Sequence, residues 1–221
     1  MIAAAVRLVV GTIAYGMVLL GFAGTVAWPA AWAYLAVMSV IMTAYARVMA
    51  RVPELVAERK KPPKDAKRWD RPLVVIIGII GPFGLIVIAG LDHRLRWSEM
   101  APWWQVLGAL LVVAGGTLTH RAVAANRFFS AVIRIQTDRG HQVVDAGPYR
   151  FVRHPGYLGS LIHMPGAALM LGSWWGLLFV AVIEVVMVVR TAWEDRTLQS
   201  ELGGYADYAR RVKYRLIPRV W

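Results

Sequence analysis

The chain has no cysteine. That rules out disulfides, thiolate-bound zinc, thiol nucleophiles and prenylation of the chain itself. Charge is scarce as well. Charged residues make up 17% of the sequence and hydrophobic ones 58%, whereas soluble domains hold about 25% charged and 45–50% apolar residues. The charge present is mostly of one sign, with 13 Asp and Glu against 25 Lys and Arg, a net of +12. Such a surplus suits a nucleic-acid binder or the basic loops of a membrane protein. Long apolar runs decide for the membrane and exclude nucleic acid as a partner. No cleavable leader is expected: the first apolar run is long enough to span, and no clear Ala-x-Ala site follows it.

What the sequence has is apolar length. A bilayer core of about 30 Å needs roughly 20 apolar residues in a helix. Segments 6–27, 30–49, 72–91 and 103–124 meet that length. Trp28-Pro29 makes a tight interfacial turn between the first two. Ten Trp and eight Tyr suit a protein with two lipid–water interfaces to anchor. The stretch 51–71 is charged and broken by prolines, and reads as a loop outside the membrane. The last apolar stretch, 157–189, is too long for one simple crossing and is interrupted by Gly172-Ser173-Trp174-Trp175-Gly176. It reads as two short helices joined there in a hairpin.

Charge placement supports the hairpin. Nine Lys and Arg lie in 47–71, six in 121–153 and seven from Arg190 onward. Six crossings put all three groups on one face, which the positive-inside bias makes cytoplasmic. A single crossing would place the last group outside. The fold expected is therefore an all-α, polytopic membrane bundle of five to six spans. Residues 1–125 form its N-terminal helices, with a basic cytosolic loop at 51–71. Residues 126–221 form a second region, the hairpin and the polar segments that flank it on the cytosolic face.

Two polar strings flank the hairpin: GPYRFVRHPGYLG, from Gly147, and RTAWEDRTLQSELGGYADYARRV, from Arg190. A hairpin returns its ends to one side, so the strings become neighbours. In the first, His154 precedes Pro155 and is biased away from helix, while Pro155 suits a first helical turn. Arg153, His154 and that helix start could hold a carboxylate, or they could be interfacial charges and a cap. In the second, Glu194 and Asp195 could meet ribose hydroxyls or an ammonium, or belong to a salt-bridged juxtamembrane helix. Arg190 lies four residues before Glu194, within pairing reach. Tyr205 and Tyr208 share a helical face. Within the apolar run, Glu184 and His163 are nearly level about the turn, so they could pair across it. Met164, Met170 and Phe179 are expected as packing, or as the wall of a tunnel for a lipid tail.

The two strings, in this order and with one apolar hairpin between them, resemble the isoprenylcysteine carboxyl methyltransferase family, itself related to phospholipid methyltransferases. Asn126-Arg127-Phe128-Phe129-Ser130 and Arg134-Ile135-Gln136 also look like family positions, so the resemblance runs from Asn126 to Pro218. One departure is Glu194-Asp195, where the family pattern has two glutamates. The resemblance implies an S-adenosylmethionine-dependent methyltransferase with its cofactor at the cytosolic face. It implies cofactor contacts from Gln136, Gly147, Tyr149, His154, Pro155, Tyr157, Leu158, Gly159, Glu194 and Asp195. Arg153, Arg190 and Glu194 are the expected catalytic residues, and no metal is implied. The substrate would be lipophilic or prenylated, taken from the lipid of a cell membrane. A carboxylate acceptor is ionised at pH 7 and needs a cation to orient it; an amine would need a proton acceptor. A phospholipid amine N-methyltransferase and an NADPH-dependent sterol or enone reductase are the rival enzymes, and a scaffold or small carrier the non-enzymatic rival.

Overall fold

Proline and glycine positions set most of the helix boundaries. The computed structural model describes residues 2–60 and 66–221. Helix α1 covers Ile2–Ala23 and α2 Pro29–Ala50, with α3 at Pro53–Lys60. Helix α4, Asp70–Val75, continues through a π-helical turn at Ile76–Ile80 into α5, Gly81–Leu95. Helix α6 is Pro102–Ala125, α7 Pro155–Met170, α8 Trp174–Glu201 and α9 Tyr205–Arg211. Prolines stand in the first turn of α2, α6 and α7, where the missing N–H leaves no bond unmade. Residues 61–65, in the middle of the expected basic loop, lie outside the described residues.

Among the described residues every regular element is helical, as expected. Four helices are long and apolar enough to cross a membrane: Pro29–Ala50, Asp70–Leu95, Pro102–Ala125 and Trp174–Glu201. The first helix carries a shorter apolar run, Leu8–Ala23. Such a chain is an integral membrane protein.

The hairpin is present; its first arm is short as expected, and its second is not. The first arm is short, 16 residues with Pro165 inside it. The second, 28 residues long, runs on past Arg190 to Glu201. The residues from Arg190 onward are polar and read as helical outside the membrane; they continue the same helix, since Glu, Arg, Leu and Gln all favour helix. Gly172 closes the turn at φ +71, a left-handed conformation that suits glycine. The Ser173 Oγ then caps α8 by accepting the Gly176 N–H at 2.8 Å.

Helices α6 and α7 run antiparallel in close contact. A Cβ built on Gly108 would sit 2.6 Å from the Gly166 carbonyl, and one on Gly159 would sit 2.7 Å from that of Gly115. Small residues let the two backbones touch, as membrane helices use them. At the turn end of the bundle, Trp104 packs edge-on to Trp174 at 5.4 Å and Trp97 to Trp175 at 6.2 Å. The hairpin places the ends of both polar strings at the other end.

The expected His163–Glu184 pair is not formed. His163 Nδ1 lies 3.2 Å from the Val112 carbonyl, and Glu184 Oε1 has no partner among the described residues. Facing separates them: α7 is held to α6 by the glycine contacts, and its histidine turns towards α6. Nor do Met164, Met170 and Phe179 wall a tunnel. Met170 is buried in the core, Met164 and Phe179 pack against that core, and the last two press on Gly81 and Gly84.

Candidate functional site

The site starts from the turn before α7. Gly147 takes φ +58 and opens a 3₁₀ turn over Gly147–Arg150. That turn buries Tyr149, whose hydroxyl accepts from Asn126 at 3.3 Å. Its carbonyl accepts from the Tyr208 hydroxyl at 2.7 Å. His154 is the non-helical residue before α7, and Pro155 begins the helix. From the other arm, Glu194 faces back and accepts a hydrogen bond from the Tyr157 hydroxyl. His154 and Asp195 lie 3.2 Å apart. The two polar strings are therefore one site.

Between them is a cavity of about 290 Å³. Of the residues expected to bind or catalyse, Gln136, Tyr149, Arg153, His154, Tyr157, Arg190 and Glu194 line it. The others do not, for identifiable reasons. Gly147 shapes the turn and Pro155 starts the helix. Leu158 and Gly159 follow Tyr157 at about 100° per residue, which carries Gly159 round to the α6 contact.

Asp195 is the clearest departure. It is fully buried and its oxygens are occupied by five side chains. Arg153 grips both, Nε to Oδ1 at 2.7 Å and Nη2 to Oδ2 at 2.9 Å. His154 and the Tyr205 hydroxyl meet Oδ1 at 3.2 and 3.1 Å. Arg215 and Gln199 each donate to Oδ2 at 2.8 Å. Arg153 spends its remaining nitrogen on the Val212 and Lys213 carbonyls, at 2.8 and 2.9 Å. The backbone amides of Arg153 and His154 donate to the Tyr214 and Arg215 carbonyls, both at 2.9 Å. Asp195 and Arg153 thus strap the C-terminal segment over the loop, and Arg153 has little left to give a ligand.

Two more cations line the cavity, Arg134 and Arg190. Arg134 is paired with Glu58 and Asp138 at 3.3 and 3.0 Å. The expected pairing of Arg190 with Glu194 is not made. Arg190 instead reaches Asp70, Nε to Oδ1 at 2.7 Å and Nη2 to Oδ2 at 3.1 Å. Its guanidinium sits 5.3 Å from the Tyr157 ring centre. Gln136 braces the loop after α6: its amide donates to the Phe128 carbonyl at 2.6 Å, and its oxygen accepts from Arg139. Sequence reasoning missed Asp70, which lies far off in the chain, and His141, which had no motif around it.

His141 lines the cavity beside Phe128, 4.6 Å between ring centres, and its Nδ1 accepts the Gln136 N–H at 3.3 Å. Burial first, then Arg134 and Arg139, push its pKa from 6.5 to about 4. The unfolded chain thus binds this proton between about pH 6.5 and 4 while the folded one does not. Stability from this group is complete above pH 6.5 and is lost as pH falls towards 4. Melting curves over that window are expected to show a steeper acid loss in the natural chain than in His141→Leu; parallel slopes would refute the assignment.

The family model for phospholipid methyltransferases matches residues 103–203. The chain is 33% identical over 127 residues to the probable protein-S-isoprenylcysteine O-methyltransferase of Oryza sativa subsp. indica, covering 55% of this chain and 66% of that protein. It is 32% identical over 114 residues to protein-S-isoprenylcysteine O-methyltransferase B of Arabidopsis thaliana, covering 50% and 58%. With the human protein-S-isoprenylcysteine O-methyltransferase it shares 28% over 130 residues, 54% and 44% of the two chains. The matches thus span a little under two thirds of these plant relatives and less of the human one. In fold, the structure of the eukaryotic intramembrane Ras methyltransferase, an isoprenylcysteine carboxyl methyltransferase, superposes with a TM-score of 0.60 at 19% identity, over 85% of this chain and 66% of that one.

Proposed function

From a chain related to the protein-S-isoprenylcysteine O-methyltransferases, we propose an enzyme that methylates the carboxylate of an isoprenylated cysteine, with S-adenosylmethionine as donor. The observation that carries this is the cavity itself: an arginine and a glutamate, Arg190 and Glu194, stand on one helix face and line one cavity without pairing to each other. A carboxylate acceptor needs the first; a cationic donor fits the second.

The residues present suit that donor. Tyr149, Tyr157, Tyr205 and Phe128 give aromatic faces for a purine, and Glu194 gives a carboxylate for a positive or hydroxyl-bearing group. When bound, S-adenosylmethionine supplies an electrophilic methyl group. Arg190 holds the acceptor's carboxylate through charge-assisted hydrogen bonds. An ionised carboxylate needs no general base, so the chain's work is orientation and exclusion of water. Tyr157 holds Glu194 in place by its hydrogen bond. His141, kept neutral by its surroundings, adds no competing cation to the cavity. Ile77 and Met187 line the same cavity from the apolar parts of their helices. A prenyl tail on that side remains in contact with the bilayer interior. The three basic clusters support a cytoplasmic position for this face of a cell membrane.

The test is transfer of labelled methyl by the purified protein in lipid nanodiscs, offered an isoprenylated cysteine or phosphatidylethanolamine. Label is expected in a base-labile ester of the first. Glu194→Ala is expected to cut the rate about 100-fold, the loss of a charged hydrogen bond of 2–3 kcal/mol. Label in the phospholipid amine instead, or in neither, would overturn the reading.

A further inference from the structure

Two unlike charges lining one cavity are expected to collapse on each other. Arg190 and Glu194 are four residues apart on α8, a spacing at which such pairs form, yet among the described residues Glu194 makes no ion pair. Something holds the arginine off. That something is Asp70, on the first turn of α4, 120 positions away in the chain and outside the stretch matched by the family model.

Asp70 is fully buried. Its Oδ1 takes the Arg190 Nε and its Oδ2 takes Nη2, a two-pronged grip at 2.7 and 3.1 Å. The Ile133 N–H also donates to Oδ2 at 2.7 Å, which fixes the carboxylate from a second element. Arg190 Nη2 donates in addition to the Ala131 carbonyl at 2.9 Å. Nε and Nη2 are therefore committed. Nη1 has no partner among the described residues, and it is not among the buried side-chain atoms left without one. Arg190 itself is buried and lines the cavity. The open edge of the guanidinium is Nη1.

We propose that Asp70 is a positioning residue. It holds Arg190 by one edge, apart from Glu194, so that the other edge is free for the acceptor's carboxylate. A fork gripped along one side is pre-organised along the other, and such groups lose less freedom on binding. Without Asp70 the anion at pairing distance along the helix is Glu194, and the two groups meant for different ligands would neutralise each other. The inference rests on the acid acceptor proposed above, and it places part of acceptor recognition in the N-terminal half of the chain.

The experiment measures binding without the methyl donor, in nanodiscs, of an isoprenylated cysteine and of its neutral carboxamide. The natural chain is expected to prefer the carboxylate by about tenfold or more. In Asp70→Asn that preference should shrink to within about twofold, with carboxamide affinity unchanged. Adding Glu194→Gln to Asp70→Asn should restore part of the preference, since Arg190 then has no anion to fall on. Asp70→Ser keeps an oxygen for the Ile133 amide while releasing Arg190, and should behave as Asp70→Asn does. A preference retained in either single variant overturns the role. So does equal weakening of both ligands, which is what general damage to the fold would give. A natural chain with no preference overturns the acid acceptor instead, and this inference falls with it.

Discussion

Asp195→Ala is expected to lower stability by about 3–5 kcal/mol, the cost of breaking a buried ion pair from one side. Truncation leaves Arg153 charged, buried and without its carboxylate. It also strips the partner from Arg215, and the Tyr205 hydroxyl and His154 lose the oxygen they share. Removing a whole ion pair in favour of apolar packing can be neutral; removing one member cannot, because the other charge has nowhere to go. The damage should concentrate where the network reaches. Residues 212–215 are held through Arg153 Nη1 and the amides of Arg153 and His154, so protease cleavage there should rise in the variant before the helices melt. Melting temperature and a timed digest check both. Glu194→Ala is the control. It removes a neighbouring carboxylate of like charge that lines the cavity rather than the strap, so it should leave the digest unchanged. A stable, protease-resistant Asp195→Ala with lost donor binding would restore the ligand role first expected of that residue.

The pair of acids shows what a sequence reveals and what it hides. That Glu194 and Asp195 lie beside His154 followed from the hairpin, and the hairpin followed from where Lys and Arg fall. Which acid faces the cavity did not follow. Adjacent residues on a helix point about 100° apart, and nothing local says which direction is inward at the end of a span. Arg153 and Arg190 are likewise the same side chain in similar company. One is consumed by carbonyls of a segment some 60 residues on, and the other is gripped by an aspartate 120 residues back. Long-range partners leave no periodicity behind. A spacing of four residues told us only that Arg190 could reach Glu194; the partner it has is set by tertiary packing. The span boundaries were legible because apolar length is a local property. The helical character past Arg190 was legible too, but its end at Glu201 was not, because polarity marks the edge of lipid and says nothing about where a helix stops.

Gly159→Leu should be the most damaging single change within the membrane. Gly159 stands among the residues the family resemblance ties to the cofactor, but its surroundings are those of a helix contact. An added Cβ would meet the Gly115 carbonyl at 2.7 Å and the Thr119 amide at 2.8 Å, besides the Thr119 hydroxyl. Two of those three are backbone and cannot swing aside. Overpacking usually costs about 1–3 kcal/mol when side chains can adjust; here α6 and α7 must separate, so a loss of about 3 kcal/mol or more is expected. Separation would also shift His154 and Tyr157, which begin the same helix, so donor binding should weaken although no ligand contact is removed. Gly115→Leu, on the facing helix and away from the cavity, tests the cause: its Cβ would come 2.6 Å from the His163 amide, and it should reproduce both effects. Gly21→Leu has open space around its Cβ and should be silent. Melting curves and donor affinities for the three variants decide the matter. If Gly159→Leu lost donor binding at unchanged stability while Gly115→Leu kept it, Gly159 would belong to the cofactor and not to the seam between the helices.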